Sequence, residues 1–489
     1  MTGSTAKSAS RFSSTFWVTT QTSFTQLFGL ALFAVQAPLL GPRAFGLISI
    51  VMVFTGFCET VLTEAATDAL ISLPVIEELH FATMTTVNLA FATVISASIL
   101  AFAVPIAHLF KDAELTAVLR WMAVLPLISA LASAPNACTK RALQFRPLAV
   151  RAITGISAGG AVGLTLALLG SGVWALVWQA IVQRAVSVVT LWWAVPLKPR
   201  IAISSRHLND LKVYFGPLCL SRTMKWGSSQ VPRFLLGLYL GAADLGLFSL
   251  ASRLNDILTQ VTVVPKYAVM RLEFRQFLAN PIGLEESLRD VLRQMSLMYF
   301  PLFVGAAAVM PALFHVWLDS RWFGGIVPAQ LMLLMGLPAV SLFAIGALLM
   351  ALNFQRTEAL LAVADSVATV ALVAVAAPYG LLIATGAYTF RPFATLPLAT
   401  RLARANCGIA ARTVLSPQMP ALVAASAMGA LVWTLGEYLQ GKSSQSIVLL
   451  VQILAGVLSY ALFNLLLSPK AASASAKVLL ARLRGLTRK

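Results

Sequence analysis

The amino-acid sequence predicts an all-α polytopic membrane protein with about 14 transmembrane helices, built from two six-helix parallel repeats and two extra helices. Hydrophobic residues make up 58% of the 489 residues, charged residues make up 11%, and the mean hydropathy is +0.83. A soluble domain with this composition would have too few polar residues to cover its outside. The apolar runs are long and continuous, which is typical of spanning helices and not of the alternating strands of a membrane barrel.

Each apolar stretch along the chain is long enough to cross a bilayer. The first six spans are predicted at 16–39, 44–72, 81–108, 116–137, 148–169 and 172–195, and a basic linker follows them. The second six are predicted at 211–240, 243–270, 290–313, 325–351, 357–377 and 379–400, and two more at 416–437 and 446–467. The predicted divisions are therefore an N-terminal lobe, a C-terminal lobe, and a peripheral helix pair with a basic tail, at 1–205, 206–410 and 411–489.

A ten-residue pattern recurs 200 positions later in the chain, each time between two long apolar stretches. The first copy and its repeat read Leu40-Gly41-Pro42-Arg43-Ala44-Phe45-Gly46-Leu47-Ile48-Ser49 and Leu240-Gly241-Ala242-Ala243-Asp244-Leu245-Gly246-Leu247-Phe248-Ser249. A turn repeated in this way indicates that a membrane-spanning half was duplicated. Such duplication is the architecture of transporters in which two lobes rock around a central site.

The second halves of the two repeats also match, and they set the relative direction of the helices. Leu125-Pro126 in the fourth predicted span corresponds to Leu337-Pro338 in the tenth. The turns that leave these spans read Leu143-Gln144-Phe145-Arg146 and Asn353-Phe354-Gln355-Arg356. Matched spans are six apart, which is an even number, so they run in the same direction and the repeats are parallel.

The basic residues predict the orientation of the chain in the membrane. The net charge is +18, but we reject a nucleic-acid partner because most of the basic residues lie in short segments between apolar runs. The segments of one side, together with both termini, hold 24 Lys and Arg; the other side holds only Arg43, Lys111, Arg321 and Lys442. The positive-inside rule therefore predicts that both termini are cytoplasmic.

Basic residues inside the predicted spans are the candidate functional signal, because a charge at mid-bilayer costs at least about 2.5–3.5 kcal/mol. These residues are Arg120, Arg184, Arg222, Lys225, Arg233, Arg253, Lys266 and Arg391. Arg222, Lys225 and Arg233 occupy one face of the seventh span, within an arc of roughly 80°. Surplus positive charge in a low-dielectric cavity attracts anions, phosphates above all. We therefore predict that these three residues and Arg253 bind the substrate.

Acidic residues inside the spans leave two interpretations open. Glu59, Glu64 and Asp68 lie on the second span, where four-residue spacing puts Glu64 and Asp68 on one face. Asp256 follows Arg253 by three residues on the eighth span, so these two can pair. The four carboxylates either balance the basic residues or take up protons in a coupled transport cycle.

Four stretches of the chain resemble Wzx-type polysaccharide flippases of the MOP (multidrug/oligosaccharidyl-lipid/polysaccharide) exporter superfamily. The stretch from Leu39 to Gly46 resembles their LLGPxxFG turn. Three others fit the subgroup that serves exopolysaccharide and colanic-acid-like export: 141–146, 172–177 and 240–249. The likeness runs over residues 20–400, but 230–237 departs from the family pattern, so no substrate contact is carried over there.

The resemblance implies two six-helix lobes in a V-shaped, MOP/MATE-like arrangement with two peripheral helices. It implies a flippase rather than an enzyme, which moves an undecaprenyl-pyrophosphate-linked oligosaccharide across the bacterial inner membrane for exopolysaccharide biosynthesis. Alternating access through a cationic central cavity would carry the polar head. The expected partners are this lipid-linked oligosaccharide and membrane lipid, with a polysaccharide polymerase and a chain-length regulator as further candidates; no cofactor is expected.

The sequence also allows two other functions. A cation-coupled multidrug antiporter of the same superfamily would expel cationic amphiphiles, and it would favour acidic residues in its cavity. A membrane polysaccharide polymerase usually carries catalytic groups on a sizeable extracytoplasmic loop, whereas no predicted loop here exceeds roughly 20 residues. The sequence has no GxxxxGK[ST] phosphate loop and no histidines at metal-ligand spacing, so we predict neither catalytic nor metal-binding residues.

Overall fold

The computed structural model describes the backbone of residues 2–196, 200–277 and 280–467, and the side chains within these ranges except those of 2–15, 225, 228, 261, 264, 265, 268, 281 and 467. The predicted basic tail after residue 467 lies outside the described residues. Every long regular element in the described ranges is a helix. The predicted all-α polytopic fold is thereby confirmed.

The described chain forms fourteen helices. Helices α1 to α7 are 2–40, 42–72, Glu78–Leu109, Glu114–Arg141, Phe145–Leu168, Val173–Trp193 and 205–240. Helices α8 to α14 are 242–275, Pro281–Trp317, Ser320–Ala351, Gln355–Tyr379, Leu381–Cys407, Ala411–Leu439 and Gln445–Leu467. Within the described residues, 11 stretches are long and apolar enough to cross a membrane, and the first of them contains both α1 and α2.

Contacts divide the chain into two compact units, Met1–Ser249 and Leu250–Lys489. The predicted division at 1–205, 206–410 and 411–489 follows the sequence repeat instead, and it stays a prediction. Helix α7 lies in the first unit because its apolar face packs along α2. The residues of this contact are Ala66, Ala69, Leu70, Leu211, Tyr214, Phe215 and Leu218.

Glycines allow α5 and α6 to approach each other closely. Gly155, Gly159 and Gly163 recur every four residues on the face of α5 that meets α6. A Cβ atom at Gly155 would lie 2.0 Å from the Ser187 hydroxyl, and one at Gly163 would lie 2.2 Å from the Gln179 amide oxygen. Small residues at this spacing are a common packing device of membrane helices, since association in lipid relies on close contact.

The repeated turns have matching backbone conformations, as the sequence predicts. Gly41 has φ 73° and ψ 169°, and Gly241 has φ 84° and ψ 179°, a region that only glycine occupies readily. The exits from α4 and α10 match as well, since Leu143 has φ 55° and Asn353 has φ 64°. Both halves of the repeat therefore change direction by the same local geometry.

The two copies of the ten-residue motif contact each other reciprocally within the first unit. A Cβ atom at Gly46 would lie 1.6 Å from the carbonyl oxygen of Ala242, and one at Gly246 would lie 1.9 Å from that of Pro42. Gly46 corresponds to Gly246 in the repeat, and Pro42 corresponds to Ala242. Equivalent residues that exchange partners in this way are the signature of a local two-fold relation.

The second unit is centred on α9, which packs against α13 and α14. The buried aromatic side chains of this unit include Phe303, Phe314 and Trp322. Tyr299 of α9 donates to the carbonyl of Thr262 at 2.5 Å, and Tyr460 of α14 donates to the carbonyl of Leu297 at 2.8 Å. Each phenol thus places its hydroxyl on a backbone acceptor, as buried tyrosines usually do.

Candidate functional site

Helix α2 contains a π-helical segment, Cys58–Thr63, inside the stretch that carries three acidic residues. The backbone N–H of Glu64 donates to the carbonyl of Glu59, which is a five-residue instead of a four-residue spacing. The wider turn shifts the register of every side chain that follows it, including those of Glu64 and Asp68. Such π-helical turns within α-helices occur frequently at functional sites.

The π-helical segment packs against a break in α4 at residues 131–132. Thr63 Oγ1 donates to the carbonyl of Ser129 at 3.3 Å. Asn88 of α3, which is fully buried, donates through Nδ2 to Thr63 Oγ1 and to the carbonyl of Ala130, at 3.3 Å in each case. Carbonyls freed by a helix break need partners inside a membrane, so these bonds stabilise both irregular segments.

Aromatic packing fixes the rotation of α7 against α2. The rings of Trp226 on α7 and Phe57 on α2 meet edge to face, with centroids 5.1 Å apart. Arg222 lies one helical turn from Trp226, on the same face of α7. The guanidinium of Arg222 is therefore directed toward the part of α2 that follows the π-helical segment.

Arg222 pairs with two of the predicted acidic residues. Its Nη1 donates to Glu64 Oε2 and its Nη2 donates to Asp68 Oδ2. The Arg222 side chain is 28% exposed, that of Glu64 52% and that of Asp68 31%. One guanidinium faces two carboxylates, so this cluster carries a formal charge of minus one. Charge balance and proton coupling both stay predictions for Glu64 and Asp68, and the substrate-binding role of Arg222 stays a proposal.

Glu59 has a different partner from its two neighbours on α2. Arg184 of α6 donates to Glu59 Oε2 through Nη2. The sequence identified Arg184 as a basic residue within a span but did not predict its partner, because α2 and α6 are distant in the chain. Arg151 of α5 also interacts electrostatically with both residues, and sequence reasoning missed it because it lies close to a predicted span end.

The other predicted site residues lie apart from these pairs. Arg233 on α7 is half-buried, and it forms no hydrogen bond or ion pair with the residues that the structure describes. The side chain of Lys225 lies outside the described part of the chain. In the second unit, Arg253 and Asp256 are both exposed on α8, and they attract each other electrostatically. Their predicted roles stay proposals.

An apolar cavity of about 560 Å³ opens beside the α2–α7 contact in the first unit. Residues of α2, α3 and α7 line it, among them Phe54, Phe57, Phe102, Trp226 and Phe234. Its wall is almost wholly hydrocarbon and aromatic, so it suits an aliphatic chain. Because Trp226 lines this cavity, the Arg222 cluster lies only one helical turn from it.

Two histidines that are far apart in the sequence meet where α3 and α7 begin. The rings of His80 and His207 are both buried, and their centroids are 4.3 Å apart. His207 Nε2 lies 3.0 Å from Glu77 Oε2, and His80 Nε2 lies 3.5 Å from Asp210 Oδ2. The hydrogen bond with His207, followed by nearby positive charges, holds the pKa of Glu77 below its usual value. This cluster ties α3 to α7, and no sequence spacing indicated it.

Comparison with known sequences identifies the family of this chain. Residues 35–326 match the family described as Polysaccharide biosynthesis protein. The succinoglycan biosynthesis transport protein ExoT of Rhizobium meliloti (strain 1021) is 26% identical over 302 residues, which are 61% of this chain and 61% of that protein. The teichuronic acid biosynthesis protein TuaB of Bacillus subtilis (strain 168) is 21% identical over 304 residues, 61% of this chain and 62% of TuaB. The chain thus matches about three fifths of the length of each relative.

Comparison with solved structures identifies the fold. The lipid II flippase MurJ in an inward closed conformation superposes with a TM-score of 0.72 and 14% identity, covering 91% of this chain and 97% of MurJ. An inward-facing multidrug resistance MATE family transporter of the MOP superfamily superposes with a TM-score of 0.59 and 14% identity, covering 78% and 94%. The resemblance predicted from the repeated turn motifs is confirmed: the chain belongs to the Polysaccharide biosynthesis protein family and has the fold of MOP-superfamily transporters.

Proposed function

We propose that the protein flips an undecaprenyl-pyrophosphate-linked oligosaccharide from the cytoplasmic to the periplasmic leaflet of the bacterial inner membrane, for exopolysaccharide biosynthesis. The family match and the names of the two relatives, which concern succinoglycan transport and teichuronic acid biosynthesis, support an envelope or secreted polysaccharide as the product. The fold supports movement by alternating access. In this proposal both termini are cytoplasmic, as the asymmetry of basic residues predicts.

The main support for the proposal is that Arg233 has no ionic partner among the described residues. It is a cation within a stretch that is long and apolar enough to cross a membrane, and it lacks an ionic partner in the described part of the chain. A charge in this position is costly unless it serves a ligand or a watery cavity. A pyrophosphate would neutralise it through charge-assisted hydrogen bonds, which are stronger than bonds between neutral groups.

The cluster around Arg222 complements this site. The lipid-linked substrate has an anionic head and a long apolar tail, and Arg222 lies one turn from a residue that lines the apolar cavity. Glu64 and Asp68 form ion pairs with the guanidinium of Arg222 in this structure. A pyrophosphate would have to displace these carboxylates to reach it. In the proposal Arg222, Lys225 and Arg233, with Arg253, hold the pyrophosphate, while the acidic residues balance the charge when it is absent.

A reconstituted flipping assay tests this function. Purified protein in proteoliposomes is given an undecaprenyl-pyrophosphate-linked oligosaccharide with a fluorescent sugar, and the fraction that becomes accessible to an external glycosidase is followed over time. We expect protein-dependent flipping, with at least a roughly tenfold slower rate for Arg233→Gln because a lost charge-assisted bond is worth about 1.5–3 kcal/mol.

Two controls make the assay specific. Arg289→Gln removes a cation whose pair with Glu285 is solvent-exposed, and its rate should match that of the unmodified protein. A cationic dye replaces the lipid-linked sugar in the second control, and no uptake is expected. Dye transport without flipping would replace the proposal with the multidrug antiporter.

A further inference from the structure

We propose that Arg151 and Arg184 form a second anion-binding site, inside the first unit, that takes the pyrophosphate group of the lipid-linked substrate and is occupied by Glu59 when that group is absent. The proposal rests on the proposed function for the identity of the lipid. The site itself follows from three side chains on α2, α5 and α6.

Close helix packing brings the two arginines together. Arg151 on α5 lies one turn before Gly155, the glycine whose face meets Ser187 on α6. The Ser187 hydroxyl also donates to the backbone carbonyl of Arg151 at 3.1 Å. Arg184 precedes Ser187 by three residues, so it lies on the same side of α6. The positions of both guanidinium groups are therefore set by a rigid helix pair rather than by a loop.

Arg151 has unused hydrogen-bonding capacity. Its Nε is inaccessible and has no hydrogen-bond partner among the described residues, and its guanidinium makes no ion pair with them. A buried donor without a partner costs about 1–3 kcal/mol, and more when it belongs to a charged group. Arginine also presents its donors in a planar fork that fits a phosphate better than a point charge would. A phosphate oxygen is the kind of acceptor that this group lacks.

The balance of charge distinguishes this site from the Arg222 cluster. Arg151 and Arg184 together face one carboxylate, that of Glu59, so the group has a formal charge of plus one. Arg222 faces two carboxylates and its cluster has a formal charge of minus one. An incoming anion is therefore attracted by the first group as it stands, whereas at the second it has to displace Glu64 and Asp68 before it reaches Arg222.

The Glu59–Arg184 pair is accessible enough to exchange. The Arg184 side chain is 32% exposed and the Glu59 side chain 38% exposed, and ion pairs that solvent reaches in this way contribute little to stability. The carboxylate of Glu59 occupies the position on Arg184 that a phosphate oxygen would take. Glu59 lies in the π-helical segment of α2, an irregular turn of the kind that often adjusts at functional sites.

Equilibrium binding of pyrophosphate compounds to the full-length protein in lipid nanodiscs tests the site. The probes are inorganic pyrophosphate and geranylgeranyl pyrophosphate, which separate a free anion from one carried on an isoprenoid. We expect the isoprenoid compound to bind more tightly. Arg151→Gln and Arg184→Gln should each weaken its binding about tenfold, the equivalent of about 1.4 kcal/mol.

Glu59→Gln is the decisive variant, because it keeps both arginines and removes only the competing carboxylate. It should tighten the binding of geranylgeranyl pyrophosphate severalfold, whereas a purely structural role for the Glu59–Arg184 pair predicts weaker or unchanged binding. Arg391→Gln is the matched control: it removes a half-buried arginine paired with Asp365 at 3.2 Å in the second unit, and it should leave binding unchanged.

The outcomes separate this site from the proposed function. Binding that responds to Arg184→Gln and Glu59→Gln as expected, in a protein that flips no oligosaccharide, would support the site and refute the function. Flipping that depends on Arg233 while the isoprenoid pyrophosphate binds equally to the unmodified protein, Arg184→Gln and Glu59→Gln would overturn the site and leave the function intact.

Discussion

Ser49 and Ser249 form a hydrogen bond to each other, with their hydroxyl oxygens 2.9 Å apart. Each serine is the last residue of one copy of the ten-residue motif, so the bond joins equivalent residues of the repeat. On the same surface, Gly46 and Gly246 each meet the backbone of the opposite copy. The two copies of the motif thus contact each other through the same residues in each copy.

The glycines of this contact should not tolerate a methyl group. Gly46→Ala and Gly246→Ala would each place Cβ within 2 Å of a backbone oxygen, which cannot move aside as a flexible side chain can. We expect each variant to lower the free energy of unfolding by about 1–3 kcal/mol or more, as measured by thermal unfolding in detergent. Gly386→Ala, where nothing lies within 4 Å of the added atom, is the control and should be neutral or slightly stabilising.

The pairs of Arg222 should be energetically coupled. Arg222→Gln leaves Glu64 and Asp68 facing each other one turn apart, so their mutual repulsion is no longer compensated. We expect a loss of stability that is largely restored when Glu64→Gln and Asp68→Asn are added in the same chain. A double-mutant cycle on thermal unfolding should give a coupling of about 0.5–3 kcal/mol between Arg222 and the carboxylates. Additive effects would mean that the pairs do not form in the membrane.

Leu143, in the turn after α4, is less suited to its backbone conformation than Asn353, the equivalent residue of the second repeat. Leu143 has φ 55° and is exposed, whereas the equivalent residue of the second repeat, Asn353, has φ 64°. The left-handed conformation costs a residue other than glycine about 1–2 kcal/mol, and asparagine tolerates it better. Leu143→Asn should therefore raise the unfolding free energy by up to about 1 kcal/mol. Asn353→Leu should lower it, and a change of the same sign in both variants would contradict this reasoning.

Stability at low pH should depend on Glu77. Because the pKa of this carboxyl is lower in the folded protein than its ordinary value of 4.5, ionised Glu77 stabilises the fold above that pH. The contribution is lost as the pH falls through the lowered folded-state pKa. The difference in melting temperature between the unmodified protein and Glu77→Gln should therefore be present above about pH 5 and shrink below about pH 4. A difference that stays constant across this range would show that Glu77 acts only through its neutral contacts.

The helices and turns were largely predictable because each depends on local sequence. Long apolar runs must form helices in lipid, where every backbone group needs an internal partner. The parallel repeat was readable for a similar reason: Gly41 and Gly241 occupy backbone conformations that other residues avoid, so the same residue recurs in both copies. The fold class followed from these features, and the family from the resemblance of four short stretches to Wzx-type flippases.

The partners of the charged residues were not predictable. Arg222 is 158 residues from Glu64, and Arg184 is 125 residues from Glu59. The sequence indicated only that these groups lie within predicted spans. Hydropathy and periodicity describe each helix separately, so they carry no information on which helices meet. Which carboxylate meets which arginine depends on how neighbouring helices are rotated and shifted against one another.

The sequence by itself determined the all-α polytopic fold, the matched turns and the presence of basic and acidic residues within the predicted spans. Only the tertiary structure determined that Arg222 is held by two carboxylates, that Glu59 pairs with Arg184, and that His80 meets His207. The physical reason is that a π-helical turn in α2 and glycine-lined packing of α5 on α6 set the register between helices. The π-helical turn leaves no period in the sequence, and the glycine repeat of α5 marks a packing face without showing which helix meets it.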